Sequence, residues 1–128
     1  MSPRTRGFDG RYIVVADEDK AVAGMVIDTL LHDGHAVFHA YDGLSALHLA
    51  LNLKVCDLVI SNTRVGGKVG IELIHELREQ LPSLAILYLS NNGHSSSQVE
   101  GGLPHNVPVL REPFTSEELL AAVRYLLD

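Results

Sequence analysis

The chain has 128 residues, 46% hydrophobic and 20% charged, with a formal net charge of −6 and one cysteine, Cys56. That length holds one domain with a hydrophobic core and leaves no room for a second of ordinary size, and the composition excludes a disordered chain. The negative balance argues against a nucleic-acid-binding surface, the apolar runs are far too short to cross a bilayer, and a lone cysteine excludes an internal disulfide and fits the cytoplasm.

Residues 1–10 carry Arg4 and Arg6 but no apolar stretch of the kind a signal peptide needs, so they predict a loose tail ahead of one domain over 11–128. An apolar run over 12–16 predicts a first strand, halted by Asp17-Glu18-Asp19. Val22, Met25, Val26 and Leu30 then recur at helical spacing until Gly34 ends the segment. Residues 36–38 predict a second strand, after which Asp42 caps a helix with Leu44, Leu47 and Leu51 on its inner face. Residues 58–61 form a β-branched apolar run that reads as a buried third strand, ending at Asn62 with turn residues Gly66-Gly67 beyond. Gly70 opens a third helix with the stripe Leu73, Ile74, Leu77 and Leu81, and Pro82 stops it. Residues 84–89 are nearly all apolar and predict a central fourth strand.

The rhythm breaks over 91–108, where Ser95-Ser96-Ser97, Gly101-Gly102, Pro104 and Pro108 form a helix poorly. A loop with at most a short helix near Gln98 is expected there. Residues 107–110 predict a fifth strand, which Pro108 confines to a sheet edge. Thr115-Ser116-Glu117-Glu118 is a capping box, and it opens a last helix with Leu119, Leu120, Val123, Leu126 and Leu127 inward.

Strands alternating with helices predict an α/β fold: a doubly wound, five-stranded parallel sheet with right-handed crossovers and strands one, three and four inside. Chemistry in such sheets collects at the carboxyl ends of the strands. Those ends carry Asp17-Glu18, Asn62-Thr63, Ser90 and Arg111-Glu112-Pro113-Phe114.

With these residues the chain resembles a receiver domain of the two-component response regulators over 12–127. The matching motifs are Val14-Val15-Ala16-Asp17-Glu18-Asp19, Asp57-Leu58-Val59-Ile60 with Gly67 and Gly70 after it, Leu89-Ser90, and Pro113-Phe114. The resemblance implies a flavodoxin-like strand order 2-1-3-4-5, here with the fourth helix short or missing. It implies an acid pair at Asp17 and Glu18, a metal-binding backbone carbonyl at Thr63, a hydroxyl switch at Ser90, and a cis peptide bond before Pro113. Three positions depart from the family pattern. Asn62 stands where the phospho-acceptor aspartate belongs, Glu112 where a phosphate-binding lysine belongs, and Val109 where a switch aromatic belongs.

The departures bear on the chemistry. A nucleophile for phosphoryl transfer needs an anionic oxygen, and an amide has none to offer. The rest of the catalysis is positioning and charge neutralisation, which Glu112 reverses in sign. Arg111 is next in sequence, but strand alternation points it to the other face. The expectation is a pseudo-receiver, not an enzyme, in a bacterial-type phosphorelay. It works by binding a histidine kinase, another regulator or a second copy of itself, with no nucleic-acid or membrane partner. No cofactor is required. A weak Mg²⁺ site at Asp17, Glu18, Asn62 and Thr63 is conceivable because Asn62 carries a carbonyl oxygen. The alternatives are a working phospho-acceptor that uses another acid, such as Asp17, or a receiver domain cut from a longer sensor or regulator; the Met1 start favours a protein complete in itself.

The remaining candidates read as structural. Cys56 is a small buried hydrophobe, not a reactive thiol. His35 and His39 share a strand face but form no ligand cluster. Gly66-Gly67-Lys68-Val69 lacks the Ser or Thr that a phosphate loop needs.

Overall fold

The computed structural model describes residues 10–53, 56–62, 64, 65, 68–90, 103, 104 and 106–128. Residues 1–9 of the expected N-terminal tail, residues 91–102 and 105 of the expected loop with its short helix near Gln98, and Thr63 lie outside the described residues. Five parallel strands make one sheet: β1 (Tyr12–Ala16), β2 (Ala36–Ala40), β3 (Cys56–Asn62), β6 (Ala85–Ser90) and β7 (Val109–Arg111). Their spatial order is β2-β1-β3-β6-β7, which is 2-1-3-4-5 when the five are counted along the chain. The strands with the most apolar runs are the interior ones, and β7 is an edge, with Pro108 just ahead of it. The Pro108 carbonyl accepts from the Tyr88 N–H at 3.0 Å, so proline enters the ladder only as an acceptor, the one backbone role left to it.

Four helices cover the sheet among the described residues: α1 (Lys20–His32), α2 (Gly43–Asn52), α3 (Gly70–Gln80) and α4 (Ser116–Leu127). Alternation along the strands builds two cores. Ile13, Val15, Leu58, Ile60, Leu87 and Leu89 meet Ala23, Val26 and Leu30 of α1 and Leu119 and Val123 of α4. Val14, Ala16, Val59, Ile86 and Tyr88 meet Ala46, Leu47 and Ala50 of α2 and Leu73, Ile74 and Leu77 of α3. Burial on both faces is why these strands read as unbroken apolar runs.

The stripe of α2 differs from the one expected. Leu44 and Leu51 are exposed, and Gly43, Ala46, Leu47 and Ala50 face the sheet. Small residues let the helix sit close, and that contact wins over the larger side chains one position away. In α1, likewise, Met25 is exposed and Ala23 takes an inner position. The strand ends also shift: β2 runs to Ala40 and β3 begins at Cys56. Short strands β4 (Arg64–Val65) and β5 (Lys68–Val69) pair antiparallel where a turn was expected, Val65 opposite Lys68. Strands of two residues are too short to leave a period in the sequence.

Caps fix where the helices start. Asp19 accepts from the N–H groups of Ala21 and Val22, Asp42 accepts from that of Ser45, and both halves of the Thr115–Glu118 capping box are present. Gly34 ends the first α–β turn at φ +91°, a left-handed conformation that favours glycine. No helix among the described residues is long and apolar enough to cross a membrane.

Candidate functional site

The ends of β1, β3, β6 and β7 lie side by side. Ala16 pairs with Ser61, Asn62 with Leu89, and Ser90 with Arg111. This register brings Asp17, Asn62, Ser90 and Glu112 to one edge of the sheet, as the sequence reading expected. Asp17 is 1% exposed, Ser90 4% and Asn62 6%. Glu18, by contrast, is exposed.

Asp17 is held from both sides. Its Oδ1 accepts from the Asp19 N–H at 2.8 Å, and its Oδ2 accepts from Asn62 Nδ2 at 2.6 Å. The strand fixes the residue as well, since the Asp17 N–H donates to the Ala40 carbonyl at 3.1 Å. Burial raises the Asp17 carboxyl above its ordinary range, and the Asn62 hydrogen bond opposes that shift. The Asn62 amide therefore acts as a donor to a buried carboxylate. A charge-assisted bond of this kind contributes about 1.5–3 kcal/mol.

Glu112 follows β7 and reaches back toward the same acids. Its Oε2 is buried and meets no hydrogen-bond partner among the described residues. Burial first, then the negative charges of Asp17 and Asp19, push its carboxyl up. Its backbone N–H donates to the Ser90 carbonyl at 2.9 Å, which fixes the strand end against β6. The Glu112–Pro113 peptide bond is cis, as expected before Pro113. Arg111 is exposed. Val109 pairs with Tyr88 and packs against the α2–α3 core beside it. The aromatic ring in this part of the sheet thus belongs to Tyr88, 1% exposed on β6.

Two roles were not foreseen. Asp19 spends its side chain as the N-cap of α1. His39, near the end of β2, donates from Nε2 to the Asp17 carbonyl at 2.9 Å and packs against Tyr41 in a tilted pair, with ring centroids 4.0 Å apart. The pairing of Val15 with His39 is what brings that ring to Asp17, and register of this kind is not written in a local pattern. Cys56 lies at the other end of β3, where burial pushes its thiol up to about 11, as a structural cysteine requires.

The side of Asn62 that meets Asp17 is its NH₂, so that bond sets an amide donor, not an oxygen ligand, against the carboxylate. No group of three or more His, Cys, Asp or Glu side chains among the described residues could hold a metal ion. Magnesium prefers several oxygen ligands in near-octahedral array.

Comparison with known proteins agrees with the fold. The model of the response regulator receiver domain matches residues 13–124. Response regulator MprA of Mycobacterium sp. (strain KMS) is 35% identical over 115 residues, covering 90% of this chain and 50% of that protein. Transcriptional regulatory protein TctD of Salmonella typhimurium (strain LT2) is 30% identical, covering 90% of this chain and 51% of that protein. The chain thus spans about half the length of the curated relatives it matches. A response regulator receiver protein from Sinorhizobium medicae WSM419 aligns with a TM-score of 0.83 at 25% identity, covering 93% of this chain and 95% of its own. The receiver domain of NtrX from Brucella abortus aligns at 0.76 and 26%, covering 91% and 97%. With the strand order in agreement, the chain belongs to the response regulator receiver domain family.

Proposed function

We propose that this chain is a receiver module that signals by binding other proteins and does not take up phosphate on Asn62. Receiver domains are signalling modules of two-component systems, and they ordinarily bind Mg²⁺ at the site of phosphorylation. The observation that carries the proposal is the 2.6 Å bond from Asn62 Nδ2 to Asp17. An amide has no anionic oxygen to attack phosphorus, and here its NH₂ is committed to the acid beside it. Glu112 supports the same reading: a carboxyl that feels Asp17 and Asp19 adds negative charge where a phosphoryl group would need a cation.

The same contacts weigh against Asp17 as a substitute acceptor, because both its oxygens are hydrogen-bonded and the residue is buried. Mg²⁺ binding is at most weak on this reading, since an ion would have to displace the Asn62 amide or turn it over. The partners that fit are a histidine kinase, another regulator or a second copy of the chain, met through protein surface and not through an acyl phosphate. Incubation with acetyl phosphate and Mg²⁺, followed by intact-mass measurement, tests the proposal. No phosphoryl adduct is expected. An adduct that hydroxylamine removes would overturn it.

A further inference from the structure

The two edges of the sheet are built differently. β7 is three residues long, follows Pro108 and runs into Arg111 and Glu112; short length, proline and charge all discourage a sheet edge from pairing further. β2 has none of these. It is five residues long and lies in regular register with β1. Residues 35–41 contain no proline, no glycine and no Asp, Glu, Lys or Arg. Among the described residues the only strand beside β2 is β1. Four of its five residues are partly open to solvent, whereas residues 13–16 of β1 are buried.

Hydrogen bonding shows which groups face outward. The Arg11 N–H donates to His35 Nδ1 at 3.0 Å and closes the turn into β2. The Ala36 N–H donates to the Arg11 carbonyl at 2.9 Å, and the Ala40 carbonyl accepts from the Asp17 N–H at 3.1 Å. In a parallel ladder alternate residues spend both backbone groups on the same neighbour, so Ala36, Phe38 and Ala40 bond to β1. Val37 and His39 then turn N–H and C=O away from it, and they lie symmetrically about Phe38. The Phe38 ring packs on the α2 side of the sheet and meets Tyr12 edge-on, with ring centroids 6.2 Å apart.

We infer that β2 is a self-association edge: two copies join antiparallel through β2 about a two-fold axis at Phe38, making one continuous sheet across the pair. This deepens the proposed function, resting on its reading of a protein-binding module and choosing a second copy as the partner. In that register Val37 pairs with the partner's His39, exchanging both backbone bonds, and Phe38 meets the partner's Phe38 at the closer, non-hydrogen-bonded position. Opposed aromatic side chains there stabilise an antiparallel pair. The two-fold makes the edge its own complement, and it closes at a dimer because each chain has one such edge. Charge favours this occupant. Chains of net charge −6 repel one another over most of their surface, and on this strand no carboxylate meets its own copy. Asp42, which follows, is spent on capping α2. The neutral patch continues past it: α2 holds no Asp, Glu, Lys or Arg, and Tyr41 and Leu44 are exposed. Few charges with aromatic and apolar groups is the composition of an interface centre.

Sedimentation velocity and amide exchange of the whole chain, without acetyl phosphate, test the edge; the acceptor question is decided separately by intact mass after acetyl phosphate. A monomer–dimer equilibrium is expected, and the Val37 and His39 amides should gain about fourfold in protection between about 20 μM and about 1 mM, with Phe38 protected throughout. Val37→Pro deletes one outward N–H and leaves the β1 ladder intact, so it should stay monomeric over the same range. A natural chain that is monomeric at about 1 mM overturns the inference, and so does an assembly larger than a dimer. A dimer whose Val37 and His39 amides exchange as fast as in the monomer overturns it as well, since another surface then joins the copies. A folded Val37→Pro variant that dimerises like the natural chain does the same. Should that variant not fold, the amide pattern of the natural chain decides alone.

Discussion

Asn62 differs from an aspartate by one nitrogen, and that nitrogen holds Asp17. Asn62→Asp removes the donor and sets a second carboxylate against a buried one, and two close carboxylates raise each other's pKa. The penalty is present where both are ionised and fades as pH falls through their raised values. We expect Asn62→Asp to lower stability by about 1–3 kcal/mol at neutral pH, and by less toward about pH 4, as read by urea unfolding. Its phosphorylation by acetyl phosphate should stay slow, because Glu112 still adds negative charge near Asp17 where a phosphoryl group needs a cation. Glu112→Lys alone should give none. The double variant, with both an anionic oxygen and its cation, should react about tenfold faster or more than either single change, since groups that act as a unit couple strongly. Equal rates for Asn62→Asp and the double variant would clear Glu112 of any obstructing role; an inert but folded double variant would mean that the pocket is not a disabled acceptor site.

Individual elements owe their limits to short-range chemistry that can be tested singly. The capping box of α4 satisfies two backbone N–H groups, with Thr115 Oγ1 accepting from Glu118 at 3.0 Å and Glu118 Oε1 accepting from Thr115 at 2.8 Å. Thr115→Ala should cost about 1 kcal/mol in thermal or urea unfolding, with the fold unchanged by circular dichroism. A neutral result would mean that packing of Leu119 and Val123 fixes the start of the helix without the cap. At the end of α3, Arg78 gathers the carbonyls of Leu81, Pro82 and Leu84 within 3.5 Å. That clasp shapes the turn that delivers β6, and so Ser90, to the site edge. Nothing in the spacing of the sequence distinguishes Arg78 from an exposed helical arginine.

For the molecule as a whole, the sheet divides the interior into two cores that do not depend on the same helices. Leu77 belongs to the α2–α3 side and Leu119 to the α1–α4 side, and both are fully buried. Leu77→Ala and Leu119→Ala should each cost about 2–5 kcal/mol, and the double variant should lose close to the sum, because the strands stand between them. Urea titration of the three variants measures this; a double variant that loses far less than the sum would mean that the two layers share one cavity response.

The sequence by itself determined the parallel α/β architecture, because strands buried on both faces must be apolar without interruption and helices must alternate with them. It also determined which strand ends carry Asp17, Asn62, Ser90 and Glu112, and that a capping box opens α4. Only the tertiary structure decided what those groups do to one another. That the Asn62 NH₂ turns to Asp17, that Asp19 is spent on a helix cap, and that His39 supports the Asp17 carbonyl all depend on strand register. The inner face of α2 depended on how closely Ala46 and Ala50 let the helix approach, and the His35–Arg11 bond on two segments 24 residues apart meeting at one strand entry. Local patterns report the period and polarity of a segment, whereas hydrogen-bond direction and close approach are set by the neighbour it packs against.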